Sequence, residues 1–261
     1  MNPSIFVTGA ASGIGKATAR LFAERGFFVG LYDVAEDGVR ELQRELGEER
    51  AIAGRLDVRD RAAWRAAVDA FGARTGGTMD VLFGCAGVLK FASFVDQTPE
   101  DADRQIAINV NGVVNGIYAA LPLLERTAAD PSRPRKPAIV TMSSASAIYG
   151  QPEMAVYSAT KFFVRGLTEA LDVELGPKGI RVCDVMPGFV DTPMVQNESH
   201  KPKSMGVFGV KTTAEDVAAI VWKAAQKDDL HWTTKLDDHV ARRLSGFSGL
   251  ARMVMRRIAR Q

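Results

Sequence analysis

Residues 4–15 read "SIFVTGAASGIG": an apolar run of strand length, a turn carrying Gly9, Gly13 and Gly15, and the start of a helical pattern. Glycines at a strand-to-helix turn let the backbone reverse sharply. They also bring the amides of the helix N-terminus within reach of a phosphate, which the helix dipole favours. The same turn can be purely structural, so its surroundings decide. Further apolar runs rich in Val, Ile and Phe occur at 27–32, 51–56, 79–84, 138–143 and 180–186, with a weaker one at 230–234. Helical patterns lie between them, at about 13–25, 36–47, 60–75, 100–127, 155–176 and 213–227. Near-continuous apolar strands alternating with helices predict a parallel sheet of about seven strands with both faces covered. That is a single-domain, Rossmann-like doubly wound α/β fold.

The bulk numbers fit this reading. A chain of 261 residues with 46% hydrophobic and 25% charged residues is an ordinary globular protein, which excludes disordered and fibrous classes. Its net charge of +2 carries no nucleic-acid signature. Six arginines and no acid fall between His239 and Gln261, so residues 1–238 carry −4. The expected division is a domain over 1–237 and a basic tail over 238–261. In the tail, Val240, Leu244, Phe247, Leu250, Val254 and Ile258 recur at helical spacing opposite the arginines. Such a surface, broken at Gly246 and Gly249 into two short helices, is expected to dock on its own domain, the favoured reading, or to lie on a partner subunit or, peripherally, on an anionic membrane.

Cys85 and Cys183 sit in apolar runs without C-x-x-C spacing and read as core thiols, not as disulfide or zinc partners. His200, His231 and His239 have no partner at metal-ligand spacing and read as core or surface residues. With no leader pattern and no run of 18–20 apolar residues, a cytoplasmic setting is expected. The polar stretch 128–137, with three prolines, predicts a mobile loop. Residues 191–212 show neither period, as expected of a loop that closes over a ligand.

The second strand ends at Asp33, 18 residues after Gly15. A carboxylate there accepts hydrogen bonds from both adenosine ribose hydroxyls and repels a 2′-phosphate. No Arg or Lys follows at 34 or 35 to offset it, so NAD is favoured over NADP. Farther on, "YSATK" places Tyr157 and Lys161 four residues apart, on one face of the helix pattern 155–176. Taken alone, that pair is as compatible with an exposed aromatic beside a solvated lysine.

With these pieces in place, the sequence resembles the short-chain dehydrogenase/reductase family from about residue 4 to 234. "TGAASGIG" matches the family's glycine turn, which adds Ser12 and Ile14 to the cofactor contacts. Asp57 and Val58 in "LDV" resemble its adenine-ring contact, and "NVNG" sets Asn109 at its catalytic asparagine. Ser144, 13 residues before Tyr157, matches the catalytic serine, although Ser143 stands beside it and only spacing selects between them. "PGFVDT", with Pro187, Gly188, Val190 and Thr192, resembles the segment that holds the nicotinamide carboxamide. Where the family has Asn-Ala-Gly after its fourth strand this chain has "CAG", with Cys85 in the asparagine's place and Ala86 and Gly87 kept for close cofactor approach. Because that asparagine ties neighbouring strands, the expected effect is on local stability.

The resemblance implies an NAD(H)-dependent oxidoreductase interconverting a secondary alcohol and a ketone. Tyr157 would be the general acid/base, Lys161 would lower its pKa and bind the nicotinamide ribose, Ser144 would hold the substrate oxygen, and Asn109 a water. Leu89, Ala145, Ala147, Tyr149, Met154, Met186, Phe189, Met194 and Phe208 describe an apolar substrate pocket. Apolar surface on the helix after Lys161 implies a homodimer or homotetramer. The alternatives are an NADP-dependent carbonyl reductase, against which Asp33 argues, and a non-catalytic NAD-binding regulator, against which the complete catalytic set argues.

Overall fold

The computed structural model describes residues 2–210 and 212–234; the tail from 238, with His239 and its expected amphipathic helix, lies outside the described residues. The apolar runs form the strands β1 (Ser4–Thr8), β2 (Phe28–Asp33), β3 (Ala51–Arg55), β4 (Val81–Gly84), β5 (Ala138–Met142), β6 (Arg181–Met186) and β7 (His231–Thr233). They pair throughout in parallel, in the order β3-β2-β1-β4-β5-β6-β7. β1 and β5 are buried along their whole length, which is why they read as continuous apolar runs without alternation.

Two layers of helices cover the sheet. On one face lie α1 (Gly13–Glu24), α2 (Glu36–Leu46) and α9 (Ala214–Ala224), packed over Ile5, Val7, Leu31 and Val140. On the other lie α3 (Arg61–Thr75), α5 (Gly112–Ala129) and α6 (Ala155–Leu175), over Phe6, Leu82, Ile139 and Val182, with α4 (Pro99–Ile106) packed on α6. Phe6 stacks on Tyr32 at 4.3 Å and on Trp64 at 5.5 Å, fixing β1 against α3. Two short helices, α7 (Pro193–Gln196) and α8 (Lys203–Phe208), lie within the irregular segment 191–212.

Three features depart from expectation. A π turn, Ala107–Asn111, interrupts the long helix between α4 and α5. Together, Pro99–Ala129 is long and apolar enough by length and composition to cross a membrane. Its buried Asn109, Asn115 and Thr127, however, are hydrogen-bonded into the domain. The segment 128–137 is tied down: Arg133 pairs with Asp80 at 3.1 Å and donates to Thr78 Oγ1 at 2.7 Å.

Candidate active site

The strand order reverses between β1 and β4, and at the carboxyl ends of the strands a cleft of about 1100 Å³ opens there. The glycine turn forms one wall. A Cβ on Gly15 would stand 2.0 Å from the Gly9 carbonyl oxygen, and Gly9 itself has φ 71 with Ala86 N 3.0 Å from its Cβ position. Bare backbone is required at both places, and the turn stays thin enough for a ligand to touch it. Ser12 caps α1 without using its hydroxyl, and it lines the cleft with Gly13 and Ile14. The first amides of a helix have no intrahelical partner, so this wall fits a pyrophosphate.

Asp33 is fixed at the next position along the cleft: its carboxylate accepts from Ala11 N at 3.1 Å and from Ala35 N at 3.0 Å. Asp57 and Val58 line the same end. Asp57 is gripped by Arg59 at 2.6 Å, which holds its carboxyl below the usual range, with Arg55 adding to the effect. Arg55 is the register partner of Asp33 and also lines the cleft. Among the described residues its guanidinium makes no hydrogen bond or ion pair. Residue-by-residue reading missed it because it looked for a cation after Asp33 in the chain. The neighbouring strand supplies one instead, and only the parallel register reveals it.

The opposite end gathers the other candidates. Ser144 caps the 3₁₀ turn Ala145–Ala147; its hydroxyl accepts from Ser146 N at 3.2 Å and stands near enough to Tyr157 to favour the phenolate. Ser143 is buried, with its hydroxyl donating to the Lys161 carbonyl at 3.1 Å. The geometry therefore selects Ser144 as the serine that meets Tyr157. Lys161 is 5% exposed; its Nζ donates to Met142 O at 2.8 Å and lies 5.5 Å from the centre of the Tyr157 ring. Asn109, fully buried in the π turn, accepts from Val88 N at 2.8 Å and donates to Val88 O and Thr160 Oγ1. Its side chain is committed to holding the segment after β4 against α6.

Among the protein's own groups, burial dominates the titration of the pair. Burial pushes the Tyr157 phenol up to about 12, against a lowering by the Ser144 hydrogen bond. Burial also brings Lys161 down to about 8. A lysine aimed at a carbonyl and easily neutralised does not overcome the desolvation of the phenol.

Cys85 lines the cleft, with burial raising its thiol to about 12. A tie that does not depend on the side chain at position 85 joins the strands there. The Thr8 hydroxyl accepts from Cys85 N and Ala86 N, both at 3.2 Å, joining β1 to the end of β4. Of the expected pocket residues, Leu89, Ala145, Tyr149, Met154, Phe189 and Met194 line the cleft. Ala147 and Met186 are wholly buried in the core, and the side chain of Phe208 lies outside the described residues. Pro187, Gly188, Val190, Thr192, Ala86 and Gly87 all line it.

The family model described as short chain dehydrogenase matches residues 3–203. The chain belongs to the short chain dehydrogenase family. Its members are oxidoreductases acting on CH–OH groups, and this chain is an enzyme of that class. It is similar to the 3-oxoacyl-[acyl-carrier-protein] reductase FabG of Thermotoga maritima, 33% identical over 239 residues, which are 87% of this chain and 92% of that protein. A short-chain dehydrogenase from Burkholderia phymatum, solved with NAD, superposes with a TM-score of 0.81 at 25% identity, covering 93% of this chain and 92% of that one. ElxO, solved with NADP, gives a TM-score of 0.78 at 25% identity over 90% of this chain and 97% of its own. A nicotinamide dinucleotide is thus the cofactor class of this short chain dehydrogenase fold, and both forms occur among its neighbours.

Proposed function

We propose that this enzyme interconverts a secondary alcohol and a ketone with an apolar body, with NAD as the preferred nucleotide. One observation carries the reading: Ser144, Tyr157 and Lys161 converge at one end of a cleft whose other end is the glycine turn and Asp33. The bound nicotinamide supplies or accepts the hydride. Gly9, Ser12, Gly13, Ile14 and Gly15 hold the pyrophosphate, Asp33 the ribose hydroxyls, and Asp57 and Val58 the adenine side. Ala86, Gly87, Pro187, Gly188, Val190 and Thr192 surround the nicotinamide half, with Lys161 at its ribose.

At the reacting oxygen, Ser144 donates a hydrogen bond and Tyr157 gives or takes the proton. Asn109 is a positioning residue, because it bonds beside Gly87 on one side and beside Lys161 on the other. A phenol pushed up to about 12 is protonated at neutral pH, the form that gives its proton to a carbonyl oxygen. Leu89, Phe91, Ile148, Met154, Phe189 and Met194 make the substrate end apolar. A second reading, use of NADP, is favoured by Arg55 beside Asp33. A second copy of the chain is proposed to cover the outer faces of α5 and α6, and the free thiols suit the cytoplasm.

The deciding experiment follows nicotinamide absorbance with acetophenone, cyclohexanone and 2-octanone in the reductive direction, and with the matching alcohols in reverse. Turnover of at least one pair, faster with NAD(H) than with NADP(H), is expected. A protein that binds NADH yet turns over none of them defeats the reading.

A further inference from the structure

Hydrogen bonds and ion pairs of the described residues fasten the segment 191–212 to the domain at its base, along one edge and at a residue of the domain. At its base Asp191 N donates to Thr212 O at 2.9 Å, beside a bridge between Val190 and Thr212. Along one edge the Glu198 carboxylate accepts from Phe91 N at 3.3 Å and lies 3.8 Å from Lys90 Nζ. The third fastening is a single residue of the domain. Glu153 Oε1 lies 2.7 Å from His200 Nε2, and Oε2 accepts from Lys203 N at 2.9 Å.

Glu153 also acts through its backbone. Its carbonyl accepts from Ala92 N at 2.9 Å, in the segment that follows β4. One residue therefore joins the three stretches that border the substrate end: residues 191–212, the segment after β4, and the turn leading into α6. Its φ of 62 makes it the sole non-glycine residue with a left-handed backbone among the described residues. A side chain is disfavoured in that conformation, and it persists where surrounding contacts over-determine it. Glycine would relax the backbone but would carry no carboxylate. Burial works against the charged form, yet the Lys203 amide and His200 outweigh it and hold the carboxyl below its usual range.

The chain position adds the functional link. Met154, next in sequence, is buried, lines the cleft and forms the N-cap of α6; Tyr157 follows within the first turn. Whatever holds Glu153 also holds the start of the helix that bears the proposed acid.

We infer that Glu153 is the latch of the substrate loop: a positioning residue that, by gripping His200 and Lys203, keeps the cleft-lining stretch 194–198 closed over the bound ketone and ties that closure to the start of α6. The inference rests on the cleft being the ketone site proposed above. It assigns Glu153 no contact with the reacting atoms, so its loss changes how long substrate is held more than the chemical step.

The test uses the full chain and whichever of acetophenone, cyclohexanone or 2-octanone is reduced fastest. Glu153→Ala and Glu153→Gly are each expected to raise KM at least fivefold, with kcat within about threefold and NADH affinity unchanged. Hydrogen exchange across 198–208 accelerates in both. Glu153→Gln, whose amide oxygen still accepts from Lys203 N and whose NH₂ can donate to His200, restores most of the KM and the slow exchange. A Glu153→Gly enzyme with wild-type KM overturns the inference, and so does a raised KM without faster exchange, or faster exchange without a raised KM. If Glu153→Ala loses NADH binding through misfolding, Glu153→Gly, with its relaxed backbone, decides. Failure of the ketone reading shows separately, as wild-type protein inactive on all three ketones, and the exchange data then decide the latch alone.

Discussion

At Tyr157 the direction of the pKa shift predicts how rate depends on pH. With the phenol raised to about 12, the fraction able to accept a proton grows tenfold per pH unit across the accessible range. Alcohol oxidation should therefore climb steadily with pH, while ketone reduction stays level through neutrality. Initial rates in both directions between pH 6 and 10 check this, and an oxidation rate flat above pH 7 contradicts it. Tyr157→Phe should lower turnover by roughly 10²–10⁴-fold and leave NADH affinity intact. The Asp33 site gives a second residue-scale prediction, because Arg55 stands in register beside it. Asp33→Ser removes the repulsion and leaves a cation for the 2′-phosphate, so NADP should bind roughly tenfold tighter, about 1.4 kcal/mol, and overtake NAD. Adding Arg55→Ala should cancel the gain, as titration of both nucleotides would reveal. If Asp33→Ser alone leaves NADP no tighter, Arg55 does not reach the phosphate.

The π turn at Ala107–Asn111 is the element on which the catalytic end is assembled. Extra residues in a helical turn re-aim side chains, and here Asn109 is swung inward to bond Val88 on one side and Thr160 on the other. Asn109→Ala leaves the Val88 groups without these partners and should destabilise the fold by about 2–4 kcal/mol in urea denaturation. A loss under about 0.5 kcal/mol would mean that other groups fix this segment. The sequence marks the turn only by low helix propensity, since "AINVNG" carries two asparagines, Val110 and Gly112 inside an otherwise continuous helical pattern. The strands and helices themselves were legible, since buried parallel strands such as β1 and β5 leave unbroken apolar runs and their connections carry helical period. So was the placing of Gly9, Gly15, Asp33, Tyr157 and Lys161 along one cleft, because strand ends and one-turn helical spacing fix where those positions fall. What stayed hidden depends on contacts between distant segments: Arg55 across a strand pair, Thr8 bonding beyond Cys85, Glu153 reaching His200 and Arg133 anchoring its loop on Asp80. His231 belongs with these, buried between Asp184 at 2.8 Å and Glu169 at 3.2 Å.

Across the molecule, apolar character and burial disagree on one side. The most apolar window of the helix Pro99–Ala129 is only 33% buried, and Tyr118 on α5 is 73% exposed. On α6, Phe162 is 40% and Val173 74% exposed; they are 11 residues apart, three helical turns, and so share a face. Exposed apolar surface of this extent needs a cover. Lipid is a poor one: Arg126 and Glu125 sit on the same helix, with Glu125 paired to Lys178 at 2.8 Å. A second copy of the chain fits, in keeping with a family whose members generally form oligomers. Because a two-fold contact meets each residue twice, one charge introduced there is felt twice. Light scattering at tens of micromolar should give two or four times 28.2 kDa for the wild type. Val173→Arg should raise the dissociation constant at least tenfold and make the melting temperature of the remaining dimer depend on protein concentration. Cofactor affinity should hold, because the glycine turn and Asp33 lie at the strand ends, away from this face. A wild type at 28.2 kDa under those conditions would leave the exposed face of α6 without the partner argued for here, and an unchanged Val173→Arg assembly would place the contact elsewhere on the molecule.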